Sequence, residues 1–158
     1  MLYRTLGRTN LTVSPLALGT VELGLDYGIV APGHYGRPPE AEAIALVHAT
    51  LDAGINFIDT ARAYGESEAV LGKALRGRRQ HAIIATKTGA HQPDGTAITG
   101  AALRQHMLDS LDTSLRLLQT DYVDVWQIHN TDHAVLDQHE TLAAVFDEAR
   151  RAGKIRAT

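Results

Sequence analysis

The 158-residue sequence contains no cysteine, no long basic block and no long apolar run. Without cysteine it can form neither a disulfide framework nor a thiolate metal site, and this fits a reducing compartment. A net charge of −3 argues against a nucleic-acid surface. No apolar run approaches the roughly 18 residues of a membrane span, and the start, MLYRTLGRTN, has no apolar leader segment. These absences predict a soluble, cytoplasmic protein with no membrane or nucleic-acid partner.

Short apolar runs alternate with amphipathic stretches along the chain. β-Branched and aromatic residues favour strands at 16–18, 55–58, 82–86 and 122–128. Four helical patterns follow these strands, with apolar residues recurring every three or four positions. The third is the longest, over 103–118, and Thr99 is its expected N-cap. The resulting βαβαβαβα order predicts a parallel sheet with crossover helices.

Two features favour a (β/α)8 TIM barrel among the parallel-sheet folds. The segment LYRTLGRTNLTVSP predicts a β-hairpin that turns at 7–10, ahead of the first sheet strand. Strand-to-helix connections, at about 21–38, 87–98 and 129–137, are longer than helix-to-strand ones, as at the functional end of such barrels. No G-x-G-x-x-G motif follows the first strand, which disfavours a Rossmann unit.

The length of the chain is short for a complete barrel, which takes roughly 250 residues. We therefore expect residues 1–158 to form a single barrel domain that is incomplete at its C-terminal side, with about the first four and a half β/α units present. Its first and last strands would be unpaired edges, open to self-association.

Ionisable residues follow three successive strands of the predicted sheet. Asp59, Lys87 and His129 come after the strands at 55–58, 82–86 and 122–128, and Tyr64 follows Asp59 by five residues. Taken singly, each has a simpler explanation, such as a turn carboxylate or a solvated lysine. Because the carboxyl ends of parallel strands meet at one mouth, we expect all four side chains to converge there.

The chemistry of these four residue types is coherent. A tyrosine phenol is a weak acid with an unperturbed pKa of about 10, and a neighbouring ammonium group stabilises the phenolate. A carboxylate paired with that lysine keeps it charged, and a neutral histidine can hold a substrate oxygen by a hydrogen bond. The set predicts proton donation to a carbonyl oxygen. It contains no obvious nucleophile, so hydride must come from a cofactor.

Five motifs, in this order, resemble the aldo-keto reductases over the entire chain: YRTLGRTNLTVSPLALGT, FIDTARAYGESEAVLGKAL, ATKTG, SLRLLQTDYVDVWQIH and AGKIRAT. The resemblance implies a catalytic tetrad with a tyrosine as general acid–base, formed here by Asp59, Tyr64, Lys87 and His129. It also implies an oxidoreductase that interconverts a carbonyl compound or sugar with an alcohol. Within the family, the sugar and aldose dehydrogenase-like branches are most similar.

The resemblance also implies a nicotinamide cofactor, NADP with NAD as the alternative. By resemblance, Gly19 and Thr20 approach the nicotinamide, and Asp59 lies near its ribose. Members of the family continue after the IRAT motif with a turn that holds the carboxamide and with loops that grip the phosphates. We therefore expect most of the cofactor site to lie outside these 158 residues.

Three alternatives stay open at this point. A metal-dependent hydrolase would use His91, His129, Asp132 and His133, but His129 and His133 share a face only on a helix, and loop residues separate them; no metal site is predicted. A barrel half could also be a non-enzymatic binding or regulatory subunit. The loop at 22–39, with Tyr27, His34 and Tyr35, either lines a substrate pocket or is a surface excursion.

Overall fold

A computed structural model describes residues 2–28 and 36–158. The chain forms a parallel β-sheet, with helices on one face and a short hairpin on the other. His34 and Tyr35, considered above as pocket residues, lie outside the described residues. The strands are β1 (Arg4–Thr5), β2 (Thr12–Val13), β3 (Ala17–Gly19), β4 (Phe57–Asp59), β5 (Ile83–Gly89), β6 (Val123–His129) and β7 (Ile155–Ala157). The helices are α1 (Val21–Gly24), α2 (Glu40–Asp52), α3 (Ser67–Ala74), α4 (Gly100–Leu118), α5 (His133–Leu136) and α6 (His139–Arg151), with a 3-10 turn at Arg79–His81.

The sheet has the order β3-β4-β5-β6-β7, with every neighbouring pair parallel. Each strand thus lies beside the next along the chain, as in a sector of a (β/α)8 barrel. β1 and β2 form a separate antiparallel hairpin. The predicted hairpin and parallel sheet are confirmed, and in the part of the chain that the structure describes, β3 and β7 are the edges.

All four predicted strands end later than their apolar runs indicated: β3, β4 and β6 by one residue, and β5 by three. β5 includes Lys87, Thr88 and Gly89, because Thr88 and Gly89 pair with Ile128 and His129 of β6. Lys87 therefore lies inside a strand rather than after it, and Asp59 and His129 are the last residues of β4 and β6. The predicted ends were too early because polar side chains interrupt the apolar pattern there. The backbone pairing between β5 and β6 nevertheless continues through these residues.

The helix-facing side of the sheet holds the larger core. Ile58, Ile84 and Trp126 are fully buried there, one on each of three adjacent strands. The Trp126 ring packs edge-on against Phe146 of α6, with 5.2 Å between ring centroids. Trp126 is thus a core residue on the helix side of the sheet. Among the described residues, no helix is long and apolar enough to cross a membrane.

The hairpin covers part of the other face of the sheet. Leu11 and Val13 are buried against Ala85, Val125 and Ala157, which project from three neighbouring strands. In a closed barrel this inner side is filled by side chains from all the strands. The hairpin therefore supplies some of the apolar contact that an open inner face would otherwise lack.

The start of α4 differs from its prediction in one respect. Thr99 occupies the N-cap position, but its side chain makes no capping hydrogen bond. Gln138, just ahead of α6, takes over: its Oε1 accepts from the Gly100 N–H at 2.9 Å, and its Nε2 donates to the Ile98 carbonyl at 2.8 Å. Gly100 has a left-handed φ of 57°, which departs from a regular capped turn. The cap is thus a tertiary contact that local sequence does not encode.

Candidate active site

Three of the predicted site residues project from the same face of the sheet. Side chains alternate between the two faces along a strand, so residues two or four positions apart point to the same face. This fixes the face for Asp59, Lys87 and His129. The residues two or four positions before them include Phe57, Ala85 and Val125, which belong to the inner cluster beneath the hairpin. The three polar side chains therefore stand above that cluster, toward the carboxyl ends of the strands.

The strand register arranges these residues as ascending steps. Asp59 pairs with Ala85, and Lys87 lies two residues beyond Ala85 on β5. His129 pairs with Gly89, which lies a further two residues along. Each step is about 7 Å of strand. A long side chain is needed to reach from one step to another, and lysine provides it.

Lys87 joins the groups at the mouth. Its ammonium nitrogen lies 2.6 Å from Asp59 Oδ1, 3.0 Å from the Thr60 carbonyl oxygen and 3.5 Å from the Tyr64 phenol oxygen. The Lys87 side chain is 15% exposed and that of Asp59 is 36% exposed. Three acceptors thus surround one half-buried ammonium, which fixes its position next to the phenol.

Tyr64 and His129 border a surface cleft of about 410 Å³. Their rings meet edge to face, with centroids 5.5 Å apart and planes at 84°. Burial lowers the pKa of His129 below its usual value, and the nearby Lys87 ammonium lowers it further. The imidazole is therefore neutral at pH 7 and has one N–H to donate. The remaining lining residues of the cleft are Val21, Leu25, Tyr27, Ala63 and Asn130.

A buried ion pair supports the turn that carries Tyr64. Glu68 of α3 is fully buried, and it accepts hydrogen bonds from the Arg62 guanidinium and, at 2.7 Å, from the Thr86 hydroxyl. The backbone N–H of Arg62 donates to the backbone carbonyl of Lys87 at 3.1 Å. These bonds connect the turn to α3 and β5. The sequence analysis did not identify Glu68 as a site residue. A signal was present, because Glu68 shares a helical face with the apolar Leu71, and a carboxylate on a buried face needs a partner.

A chain of hydroxyl groups lies behind the mouth. Thr60, Ser67 and Thr20 are all fully buried. The Thr60 and Ser67 hydroxyl oxygens are 3.0 Å apart, Ser67 donates to Thr20 at 2.7 Å, and Thr20 donates to the Asp59 carbonyl at 2.8 Å. These hydroxyl hydrogen bonds connect the ends of β3 and β4 to the start of α3. No sequence pattern predicted this connection.

The predicted cofactor residues occupy different environments. Gly19 pairs with Asp59 at the end of β3, is exposed, and a Cβ added there would meet nothing within 4 Å. A bare backbone facing open space beside a carboxylate fits the close approach of a flat ring. The Thr20 side chain, in contrast, is buried and engaged in the hydroxyl chain. Thr20 can hold the neighbouring Gly19 backbone in place through these hydrogen bonds. Its role toward a cofactor stays a prediction.

The residues considered for a metal do not assemble. His91 Nε2 lies 3.1 Å from Asp132 Oδ2, and the two connect the loops after β5 and β6. The Val135 N–H and then His91 lower the pKa of Asp132, whose other oxygen caps α5. His129 instead contacts Tyr64. Among the described residues, no group of three histidine or acidic side chains could hold a metal ion.

Comparison with known proteins places the chain in a family. The model of the aldo/keto reductase family matches residues 15–158. The chain is 39% identical to the 6-dehydroglucose reductase of Novosphingobium aromaticivorans, over 98% of this chain and 49% of that protein. It is 37% identical to the L-galactose dehydrogenase of Arabidopsis thaliana, over 97% of this chain and 46% of that protein.

A solved structure agrees with these relatives. The holo form of aldo-keto reductase AKR11C1 from Bacillus halodurans superposes with a TM-score of 0.78 at 33% identity, covering 99% of this chain and 48% of that one. The chain therefore belongs to the aldo-keto reductase family, and the predicted resemblance and barrel architecture are confirmed. It spans about half the length of the relatives it matches.

Proposed function

We propose that this chain carries the carbonyl site of an NAD(P)H-dependent oxidoreductase that interconverts an aldehyde, ketone or sugar with an alcohol. The observation that carries the proposal is the position of the Lys87 ammonium, 2.6 Å from Asp59 and 3.5 Å from the Tyr64 phenol. Family membership supports the same class of reaction. The catalytic residues are Asp59, Tyr64, Lys87 and His129.

Tyr64 is the general acid–base. In reduction, the phenol donates its proton to the carbonyl oxygen as negative charge develops there, and the adjacent Lys87 ammonium stabilises the phenolate that remains. In oxidation the phenolate takes the proton back from the alcohol. Asp59 holds the ammonium in place, and the neutral His129 donates an N–H to the same substrate oxygen.

The cofactor is NADP, with NAD as the alternative. When bound, a nicotinamide dinucleotide supplies the hydride in reduction and accepts it in oxidation. Gly19 would give the ring a side-chain-free surface, Thr20 would support that surface, and Asp59 would border the ribose. A cytoplasmic location, predicted from the sequence, fits this cofactor requirement.

The substrate is a small carbonyl compound or sugar. Two relatives of the chain are named for sugar substrates, a 6-dehydroglucose and an L-galactose. In this chain, the cleft beside Tyr64 combines apolar Val21 and Leu25 with polar groups on Tyr27 and Asn130. Such a mixture suits a polyol, whose carbon skeleton packs on apolar walls while its hydroxyls find hydrogen-bond partners.

Two measurements test the proposal. The complete protein in which these 158 residues occur is titrated with NADPH and NADH by fluorescence, and its turnover of sugar aldehydes is measured. We expect saturable cofactor binding and consumption of NADPH on addition of substrate. A folded complete protein that binds neither dinucleotide would contradict the proposal and favour a non-enzymatic binding or regulatory subunit.

A further inference from the structure

Gly24 ends α1 against the backbone of the turn that carries Tyr64. A Cβ added to Gly24 would lie 1.9 Å from the Tyr64 carbonyl oxygen, 2.3 Å from the Ser67 nitrogen and 2.9 Å from the Glu66 nitrogen. All three are backbone atoms, so no side-chain rotation can relieve the contact. Gly24 is not among the residues with positive φ. The close approach, rather than an unusual backbone conformation, therefore requires glycine here.

A second glycine faces Gly24 from the other side of this contact. Gly65, directly after Tyr64, has a φ of 56°, and a Cβ there would lie 2.4 Å from the Gly24 carbonyl oxygen and 2.8 Å from Leu25 Cδ2. The Glu66 N–H donates to the same Gly24 oxygen at 3.4 Å. Two backbones thus meet without intervening side chains, one residue from the phenol-bearing position.

The other end of α1 is attached to the same segment. Thr20, which precedes α1, donates its hydroxyl hydrogen to the Asp59 carbonyl oxygen at 2.8 Å and accepts one from Ser67 at 2.7 Å. α1 is therefore fixed at its start to the end of β4 and at its end to the turn after Tyr64. A short helix anchored at both ends cannot move away without breaking the buried hydroxyl chain.

We propose that Gly24 and Gly65 are positioning residues, whose backbone contact sets the location of the Tyr64 phenol relative to Lys87 and His129. This inference rests on the proposed function, because it assigns catalytic importance to where Tyr64 lies. Displacement of a reacting group by about 1 Å can cost 100-fold in rate. With a methyl group at position 24, the backbone of α1 and the Tyr64 carbonyl must separate by more than that to reach an ordinary contact distance.

The test compares matched glycine substitutions in the complete protein. Gly24→Ala is compared with Gly72→Ala, whose added Cβ would also meet backbone, 2.2 Å from the Leu117 carbonyl oxygen between α3 and α4. Gly65→Asn is compared with Gly77→Asn, because both positions have positive φ and only position 77 has nothing within 4 Å of a Cβ. Asparagine tolerates this φ, so the second pair isolates the contact even if Gly24→Ala fails to fold.

Three quantities are measured for each folded variant: turnover, cofactor affinity, and the nuclear Overhauser cross-peak between the ring protons of Tyr64 and His129. We expect Gly24→Ala and Gly65→Asn to lower turnover by about 10- to 100-fold and to weaken the cross-peak, with unchanged cofactor affinity. Gly72→Ala and Gly77→Asn should lose stability at most. An unchanged cross-peak in both test variants would overturn the positioning role, as would an equal loss of turnover in the controls. A weakened cross-peak with wild-type turnover would uphold the positioning and refute the acid–base role of Tyr64.

Discussion

The Lys87 ammonium of β5 lies 2.6 Å from the Asp59 carboxylate of β4, although the two residues are two register positions apart. The four-carbon lysine stem bridges that step and brings the charge to within 3.5 Å of the Tyr64 phenol oxygen. One salt bridge therefore both fixes a cation beside an acid and joins neighbouring strands. Substitutions of Lys87 and of Asp59 separate these two effects.

Replacing Lys87 by methionine tests its effect on the acid. Lys87→Met keeps the apolar stem and removes the charge that stabilises a phenolate. Turnover should fall about 100-fold, because the phenolate that proton donation leaves behind loses its neighbouring cation. Lys73→Met is the control, because Lys73 pairs with Glu40 on the surface. Wild-type turnover in Lys87→Met would contradict the role of the ammonium.

Replacing Asp59 by asparagine tests the structural side of the same bridge. Asp59→Asn leaves a half-buried ammonium without its counter-ion, and we expect the free energy of unfolding to fall by about 1–3 kcal/mol, between typical surface and buried pairs. Asp112→Asn removes a more exposed partner, that of Lys154, and should cost less than about 1 kcal/mol. Urea denaturation of the purified chain measures both. Equal small losses would show that the Lys87–Asp59 pair contributes nothing special to the fold.

The buried Glu68 should be the more sensitive carboxylate. Glu68 has no exposed surface, and Arg62, its partner, is 28% exposed. Glu68→Gln should therefore lower the free energy of unfolding by about 3–5 kcal/mol and loosen the turn that carries Tyr64. Glu148→Gln, which removes a surface partner of Arg104, should cost under about 1 kcal/mol. Comparable losses in the two variants would contradict a buried ion pair at Glu68.

Stability should depend on pH through His129. Because burial and Lys87 lower the pKa of His129 in the folded chain, the unfolded chain takes up this proton first as the pH falls below the usual value of 6.5. The free energy of unfolding should thus be fully retained above that pH and decrease as the pH falls toward the lowered folded value. His129→Gln should flatten this part of the curve, and the exposed His139→Gln should not. An unchanged slope in His129→Gln would refute the assignment.

The sheet edges should determine how the isolated chain behaves. β3 and β7 have no neighbour on one side among the described residues, and Leu16, just ahead of β3, is 60% exposed. Exposed edges favour pairing with another chain. We expect concentration-dependent association in sedimentation and weak NADPH binding. Leu16→Lys should reduce association more than Leu136→Lys, which alters an exposed residue of α5. A folded monomer that binds NADPH at micromolar levels would contradict this expectation.

The sequence predicted the strand order, the hairpin and the convergence of Asp59, Tyr64, Lys87 and His129, because apolar periodicity and strand ends are local properties. It did not predict the Gln138 cap of α4, the buried Glu68 or the contact between Gly24 and Gly65. Each of these joins segments that are distant along the chain. Their geometry depends on how elements pack, which no short window of residues specifies.

The most direct test of the central claim is the turnover of Tyr64→Phe, measured beside Tyr27→Phe in the complete protein. Both tyrosines line the same cleft, but only the Tyr64 phenol lies within 3.5 Å of Lys87. Removing the Tyr64 hydroxyl should lower carbonyl reduction at least about 100-fold while NADPH affinity, measured by fluorescence, stays the same. Tyr27→Phe removes only a hydrogen-bond partner of the substrate, so its turnover should fall by less than about 10-fold. Wild-type reduction by Tyr64→Phe would contradict the account.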